Sequence, residues 1–188
     1  EVAQGALLDP VFRRGFAHLA ARGLTFDAWV YHTQLADVVD LARAFPYTTI
    51  ILDHAGGPVG VGPFAGKRDE VFAQWRTSLR EVAACANVVV KLGGLGLPVM
   101  GFGFDRRAQL PASPELADAW RPYIETCIAG FGVSRCMFQS NFPPDRESCS
   151  YASLWNAFKR VTAGCSSAER AALFHDNAAR IYRLAPAA

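Results

Sequence analysis

The sequence predicts an α/β fold with a parallel sheet, and three features support this prediction. Short apolar segments alternate with amphipathic segments of helical period along the 188 residues. The apolar segments are rich in β-branched residues, as is typical of strands that are buried on both faces. The composition, with 51% hydrophobic and 19% charged residues, is that of a globular protein. Because no linker or low-complexity segment divides the chain, we predict a single domain over residues 1–188.

Periodicity predicts the order helix, then strand and helix four times, then two further short helices. The predicted strands are 24–31, 48–53, 87–92 and 135–139. The predicted helices are 10–22, 35–45, 72–86, 114–131 and 154–161, with two more after Ser166 and Asp176. Two architectures fit this order, an open doubly wound sheet or part of a (β/α)8 barrel, because four strands are half of a barrel's set.

Polar side chains that cap helices mark three of the predicted helix starts. Asp9 stands before a proline and is a predicted N-cap, and Ser113 stands before Pro114 in the same way. Ser166 and Glu169 have the spacing of a capping box. These residues therefore predict where the first helix, the helix before residue 131 and the penultimate helix begin.

The totals argue against several classes of function. A net charge of +2 gives no electrostatic case for binding nucleic acid or an anionic membrane. The apolar runs are too short to span a bilayer, and residues 1–10 lack the basic and apolar parts of a signal peptide. No G-x-G-x-x-G motif or P-loop predicts a nucleotide site. The five cysteines form no C-x-x-C pair, which predicts reduced, mostly buried thiols and a cytoplasmic location.

The strand predicted at 48–53 ends in the most chemically suggestive residues of the chain. Polarity changes abruptly at Asp53 and His54, and the sequence Ala-Gly-Gly-Pro then ends the strand. The carboxyl end of a buried parallel strand is where α/β folds place their chemistry. We therefore predict that His54 is functional. The aperiodic segment 93–113 is unusually long for a connection, which is typical of an active-site lid.

Three motifs, in order along the chain, resemble one family. They are Leu-Asp-His54-Ala-Gly-Gly-Pro, Cys-Met-Phe-Gln-Ser-Asn141-Phe-Pro-Pro-Asp145 and Leu-Phe-His175-Asp-Asn-Ala-Ala-Arg-Ile-Tyr182. Together they resemble the amidohydrolase-2 group of TIM-barrel hydrolases, and within it the lactonases that act on sugar lactones and pyrone dicarboxylate. The resemblance extends from about Asp9 to Leu184.

The resemblance implies a partial (β/α)8 barrel in which residues 24–140 supply strands five to eight. The family's first strand carries a His-x-His pair, and this sequence contains no such pair. The chain also begins with Glu1 rather than Met. We therefore expect the carboxyl-terminal half of a larger enzyme, or a truncated relative of one. Unpaired strand edges would be closed by a missing amino-terminal half, a second copy or a partner.

The resemblance also implies the catalytic residues. The family's histidine after strand six corresponds to His54, and its aspartate after strand eight corresponds to Asn141. Because an amide does not ionise near neutral pH, Asn141 cannot be a general base, and Asp145, four residues on, is the expected substitute. A divalent metal ion, zinc or manganese, is one expectation, with His54 as a ligand; an enzyme without a metal is the other.

Other polar residues are predicted to bind a small-molecule substrate. Lys91 would lie on a strand, where its ammonium either points into the mouth of the site or pairs with an acid. Side chains alternate at the end of the first strand, so either Tyr31 or His32 faces the interior, and we expect His32 to line the pocket. Arg106, in the long loop, is positioned in sequence to clamp a carboxylate, although a solvated arginine is the alternative.

Together these features predict a hydrolase that opens a small lactone, or a related carbonyl ester or amide, by attack of an activated water. Such chemistry needs a base or a metal for the water and donors for the oxyanion. Two alternatives stay open at this point. One is a decarboxylase or hydratase of the same fold family, and the other is a non-catalytic half-barrel that acts as an assembly module.

Overall fold

A computed structural model describes residues 5–184, and its centre is a four-stranded parallel sheet. The strands, β1 (Phe26–Ala28), β2 (Ile50–Leu52), β3 (Val88–Leu92) and β4 (Cys136–Phe138), lie side by side in sequence order. Each neighbouring pair is parallel. The prediction of an α/β fold with a parallel sheet is confirmed. The strands are shorter than predicted because the chain leaves the sheet soon after each apolar core segment.

Residues 5–184 form eight α-helices, two of them before β1 and the others between or after the strands. They are α1 (Pro10–Phe16), α2 (His18–Ala21), α3 (Leu35–Ala44), α4 (Arg68–Ala83), α5 (Ser113–Phe131), α6 (Tyr151–Val161), α7 (Ser167–Ala171) and α8 (Asn177–Tyr182). The helix predicted at 10–22 is interrupted at Ala17 and forms two short helices. A π-helical segment, Ala172–Asp176, joins the last two helices.

The structure confirms two of the three predicted caps. The Asp9 carboxylate accepts hydrogen bonds from the first turn of α1, including the Val11 amide at 2.6 Å. Ser166 and Glu169 form the reciprocal capping box at the start of α7. The prediction for Ser113 is wrong because this residue is already helical, and its hydroxyl accepts instead from the Arg160 guanidinium at 3.1 Å.

The two faces of the sheet are buried by different partners. One face, with Ile50, Leu52 and Val90 among its residues, packs against α3 to α6 in the main hydrophobic core. The other face presents a smaller apolar cluster, in which Ile51, Val89, Met137 and Ile181 are buried together. Because Ile181 belongs to α8, the carboxyl-terminal helix covers this second face.

The long segment after β3 is fixed to its neighbours through much of its length. The Gly60 amide donates to the Val99 carbonyl at 2.9 Å, and a Cβ at Gly101 would overlap the Gly60 backbone. The Arg68 guanidinium donates to the Gly101 carbonyl at 2.7 Å and lies 4.0 Å from the centre of the Phe102 ring. The first half of this segment therefore packs against its neighbours, and its role as an active-site lid stays a prediction.

Two further sequence predictions concern the state of the cysteines and the capacity of helices to cross a membrane. All five cysteines are unpaired, four of them are buried, and Cys165 is partly buried. Within residues 5–184, no helix has both the length and the apolar character needed to cross a membrane.

Candidate active site

The side chain of His54 meets the end of β4 at the carboxyl edge of the sheet. Its Nδ1 lies 2.6 Å from Nε2 of Gln139, the residue that follows β4. His54 follows β2, so this contact bridges two strands that are separated by β3. The backbone of His54 has a φ of 54°, which is rare for a side chain larger than glycine. Such backbone strain is found mainly where the surrounding structure fixes a functional residue.

Glycines at the end of β3 make this contact possible. A Cβ at Gly94, where φ is 68°, would overlap the imidazole of His54. A Cβ at Gly93 would lie 2.6 Å from Cγ of Gln139. The Gly93-Gly94 pair that ended the predicted strand therefore has a steric role, because larger side chains would push apart the segments that carry His54 and Gln139.

Aromatic rings form one wall beside His54. The Trp29 ring meets the imidazole edge to face, with 4.3 Å between the ring centres, and meets Tyr31 at 5.5 Å. All three side chains are partly exposed. Trp29 and Gln139 were missed by the sequence reasoning because each stood inside a predicted strand. Their position next to the strand ends was the available signal.

The environment of His54 favours the neutral imidazole. Burial lowers its pKa to about 4, and the nearby positive charge of Lys91 lowers it in the same direction. His54 is therefore uncharged at neutral pH, where it has one N–H group and one nitrogen lone pair.

Lys91 takes part in an ion-pair network on the second face of the sheet. Its ammonium contacts the Asp27 carboxylate and lies 2.9 Å from Asp53, while the Tyr182 hydroxyl donates to Asp27 at 2.7 Å. Burial alone would lower the pKa of Lys91, but its acidic partners together raise it above the ordinary value. The sequence left two alternatives for the Lys91 ammonium, the mouth of the site or an acidic partner, and in the structure it is paired with acidic side chains. The role of Lys91 in substrate binding stays a prediction.

Asn141 and Asp145 lie together in the loop after β4. The Asn141 carboxamide donates to Oδ1 of Asp145 at 2.7 Å, and Asp145 is fully buried. Its Oδ2 has no hydrogen-bond partner among the described residues, and a Cβ at Gly96 would lie 2.9 Å from this oxygen. Burial raises the pKa of Asp145 to about 7, although the hydrogen bond from Asn141 and the nearby backbone amide of Gly96 oppose this effect. The loop thus turns the Asp145 carboxyl inward.

His32 is enclosed by its neighbours in the structure, and its role in substrate binding stays a prediction. The residue is 1% exposed, and its Nδ1 accepts a hydrogen bond from the Val59 amide at 3.2 Å. Its ring packs edge to face against Phe64, with 4.9 Å between the centres. His32 therefore contacts the loop after β2 at two points, Val59 and Phe64. Tyr31, the other residue of the predicted pair, is the one beside Trp29.

Arg106 lies apart from these contacts. It is exposed in the long loop, and a Cβ at Gly103 would lie 3.1 Å from its Nη2. Within residues 5–184 it has no hydrogen bond or ion pair to another side chain. Its predicted role as a carboxylate clamp stays a prediction.

The described residues do not supply the ligands of a metal ion by themselves. Residues 5–184 contain no group of three or more His, Cys, Asp or Glu side chains placed to hold one. Nδ1 of His54 is in contact with Gln139, and the buried Asp145 carboxyl is bonded to Asn141. The donor set of this chain therefore does not fit the zinc or manganese ion expected from the resemblance.

Comparison with known proteins identifies relatives over nearly the whole chain. An uncharacterised protein of Sinorhizobium fredii is 42% identical over 175 residues, which are 93% of this chain and 52% of the relative. An L-fucono-1,5-lactonase of Burkholderia multivorans is 35% identical over 181 residues, which are 94% of this chain and 57% of the relative. The chain thus spans little more than half the length of these relatives.

Solved structures agree with the fold. A crystal structure of an amidohydrolase from Burkholderia multivorans with bound zinc superposes with a TM-score of 0.83 at 31% identity, covering 96% of this chain and 60% of that one. An amidohydrolase 2 from Bifidobacterium longum superposes with a TM-score of 0.68 at 22% identity, over 96% of this chain and 58% of that one, and supports the fold alone. The sequence profile of the amidohydrolase-2 (Amidohydrolase) family matches residues 2–184, and the chain belongs to this family.

Proposed function

We propose that this chain is the hydrolytic part of an enzyme that opens a small lactone, or a related carbonyl ester or amide, with an activated water. The observation that supports this proposal most is the contact of His54 with Gln139, two residues before Asn141, at the carboxyl edge of the sheet. Two relatives named L-fucono-1,5-lactonase, 35% and 29% identical, favour a sugar-like lactone as substrate.

The three residues would divide the work of the reaction. His54 is neutral at pH 7 and would contact the carbonyl oxygen, where negative charge develops in the tetrahedral intermediate. Asn141 uses its amide nitrogen on Asp145, which leaves its amide oxygen to orient the attacking water. Asp145 would take the proton of that water and return it to the ring oxygen as the ring carbon–oxygen bond breaks, because a pKa of about 7 suits a general base at neutral pH. Since the carboxyl is fully buried, the water would have to reach it beside Asn141.

Closure of the sheet is part of the same proposal. β1 and β4 are the outer strands of the described sheet, and in a (β/α)8 barrel both would pair with further parallel strands. We propose that this chain supplies strands five to eight, and that the other strands come from an amino-terminal half or from a second copy. Size-exclusion chromatography with light scattering distinguishes a monomer from a dimer.

The experiment that tests the function is a hydrolysis assay on the purified protein. A panel of sugar lactones, simple esters and amides is followed by proton release, and carboxylic acids are included to detect decarboxylation. We expect turnover of a lactone, with kcat/KM lowered by about 10²- to 10³-fold in His54→Ala. His18→Ala is the matched control, because His18 is exposed on α2.

The other outcomes favour the alternatives. Release of carbon dioxide without lactone hydrolysis would indicate a decarboxylase. A folded protein that turns over no compound of the panel, and that assembles with itself, would favour the non-catalytic assembly module.

A further inference from the structure

We propose that Gln139 fixes the tautomer of His54, so that the imidazole carries its hydrogen on Nε2 and acts as a hydrogen-bond donor to the substrate's carbonyl oxygen. Gln139 is then a positioning residue, since it acts on the substrate only through His54. The role in substrate binding rests on the proposed function. The tautomer itself does not.

The first support is the geometry of the contact. The Gln139 carboxamide nitrogen lies 2.6 Å from Nδ1 of His54, which is within hydrogen-bonding distance. With the amide nitrogen of Gln139 facing the ring, as the structure has it, Nδ1 accepts, because a carboxamide nitrogen can only donate. A neutral imidazole has a single hydrogen, and it is therefore on Nε2.

The second support is that the Gln139 side chain is held in place. Its backbone amide donates to the Leu92 carbonyl at 3.3 Å, which continues the pairing of β4 with β3 by one residue. Its Cγ packs directly over Gly93, where a Cβ would come within 2.6 Å. A side chain confined in this way selects one imidazole orientation, in the manner of the hydrogen bonds that fix histidine tautomers elsewhere.

The third support is the state of the imidazole around this contact. The His54 ring is held edge to face against Trp29, and burial together with the charge of Lys91 keeps it neutral. Nε2 of His54 has no hydrogen-bond partner among residues 5–184, and the side chain is partly exposed. An unpartnered N–H on a neutral, fixed ring is suited to bind a developing oxyanion.

This tautomer also excludes two other roles for His54. With Nδ1 bonded to Gln139 and Nε2 protonated, neither nitrogen offers a lone pair to a metal ion. For the same reason His54 cannot take a proton from water without first breaking the contact with Gln139. The contact with Gln139 thus adds to the disagreement between the expected metal and the donor set, which holds no group of three possible ligands among residues 5–184.

The test is the long-range proton–nitrogen NMR spectrum of the histidine side chains at pH 7, with His54 assigned by its absence in His54→Ala. We expect a pyridine-like Nδ1 and a pyrrole-like Nε2. In Gln139→Glu, a carboxylate replaces the amide and can only accept, so the hydrogen should move to Nδ1. Gln109→Glu makes the same chemical change at an exposed loop position and should leave the His54 spectrum unchanged.

Each outcome decides the proposal. A protonated Nδ1 in the unmodified protein would overturn it, and this spectrum alone suffices if Gln139→Glu does not fold. An unchanged tautomer in folded Gln139→Glu would also overturn it, because Gln139 would then not control the ring. Where a lactone substrate is known, we expect Gln139→Glu to lower kcat by about 10²-fold, as for the loss of one oxyanion donor. A protein with the expected tautomer but without lactone hydrolysis would refute the proposed function and leave the tautomer standing.

Discussion

Replacement of the buried carboxyl group in Asp145→Asn should stabilise the protein at alkaline pH, although it removes the proposed base. Asp145 is 0% exposed, and burial raises its pKa to about 7 from the model-compound value of 3.8. A carboxyl whose pKa is higher in the folded state favours folding when it is protonated. That favourable contribution is complete below pH 3.8 and is lost as the pH rises through 7.

The magnitude follows from the difference between the two pKa values. It corresponds to about 4 kcal/mol of unfolding free energy at pH 8, which the neutral asparagine would recover. The asparagine Oδ1 can still accept from Asn141, but its amide nitrogen becomes a buried donor near Gly96, at a cost of about 1–3 kcal/mol. We therefore expect a net gain of about 1–3 kcal/mol at pH 8, and a net loss at pH 4.

The assay is urea unfolding at pH 8 and at pH 4, followed by circular dichroism and by tryptophan fluorescence. The quantity of interest is the change in the effect of Asp145→Asn between the two pH values, which should be about 4 kcal/mol. Asp118→Asn, at an exposed position of α5, is the matched control and should show no such change. An equal effect of Asp145→Asn at both pH values would refute the argument that burial controls this carboxyl.

Three further substitutions test the rest of the site. Gly94→Ala should destabilise the protein by about 2–4 kcal/mol, because the new Cβ would overlap His54 and the φ of 68° disfavours alanine. In the control Gly164→Ala the new Cβ has free space, so this variant should unfold at nearly the same temperature as the unmodified protein. Lys91→Met should lower the free energy of unfolding by about 2 kcal/mol, because Asp27 and Asp53 lose their cation. NMR titration of this variant should show the pKa of His54 rising from about 4, since a nearby positive charge is removed. An unchanged pKa would contradict the electrostatic argument. Arg106→Ala should change stability by less than about 0.5 kcal/mol, and an unchanged KM for acidic substrates would exclude the predicted clamp.

The parts of the site that sequence reasoning identified are those with a local signal. His54 stood out because a strand of buried residues ended abruptly in a polar pair followed by glycines. Asp145 was named because the residue at the expected acidic position, Asn141, cannot ionise. In the structure the Asn141 and Asp145 side chains are hydrogen-bonded to each other. This pairing depends on the course of the loop through two prolines, which the sequence pattern did not fix.

The parts that were missed, or interpreted differently, depend on distant segments. Gln139 and Trp29 contact His54 from positions just after two other strands, β4 and β1, so these contacts appear only when the sheet is assembled. His32 was expected in the pocket from strand alternation, but the chain leaves β1 at Ala28 and turns before it reaches His32. Alternation of side chains no longer applies outside the strand.

The sequence by itself determined the fold class, the order of its elements, the family and the strand end at which His54 lies. These properties depend on hydrophobic periodicity, helix caps and short motifs, all of which act over a few residues. Only the tertiary structure decided which groups His54 meets, that Lys91 is held by acids, and that Asp145 is buried. The first two depend on the register of a parallel sheet, which brings together residues that are tens of positions apart, and the third depends on the course of the loop after β4.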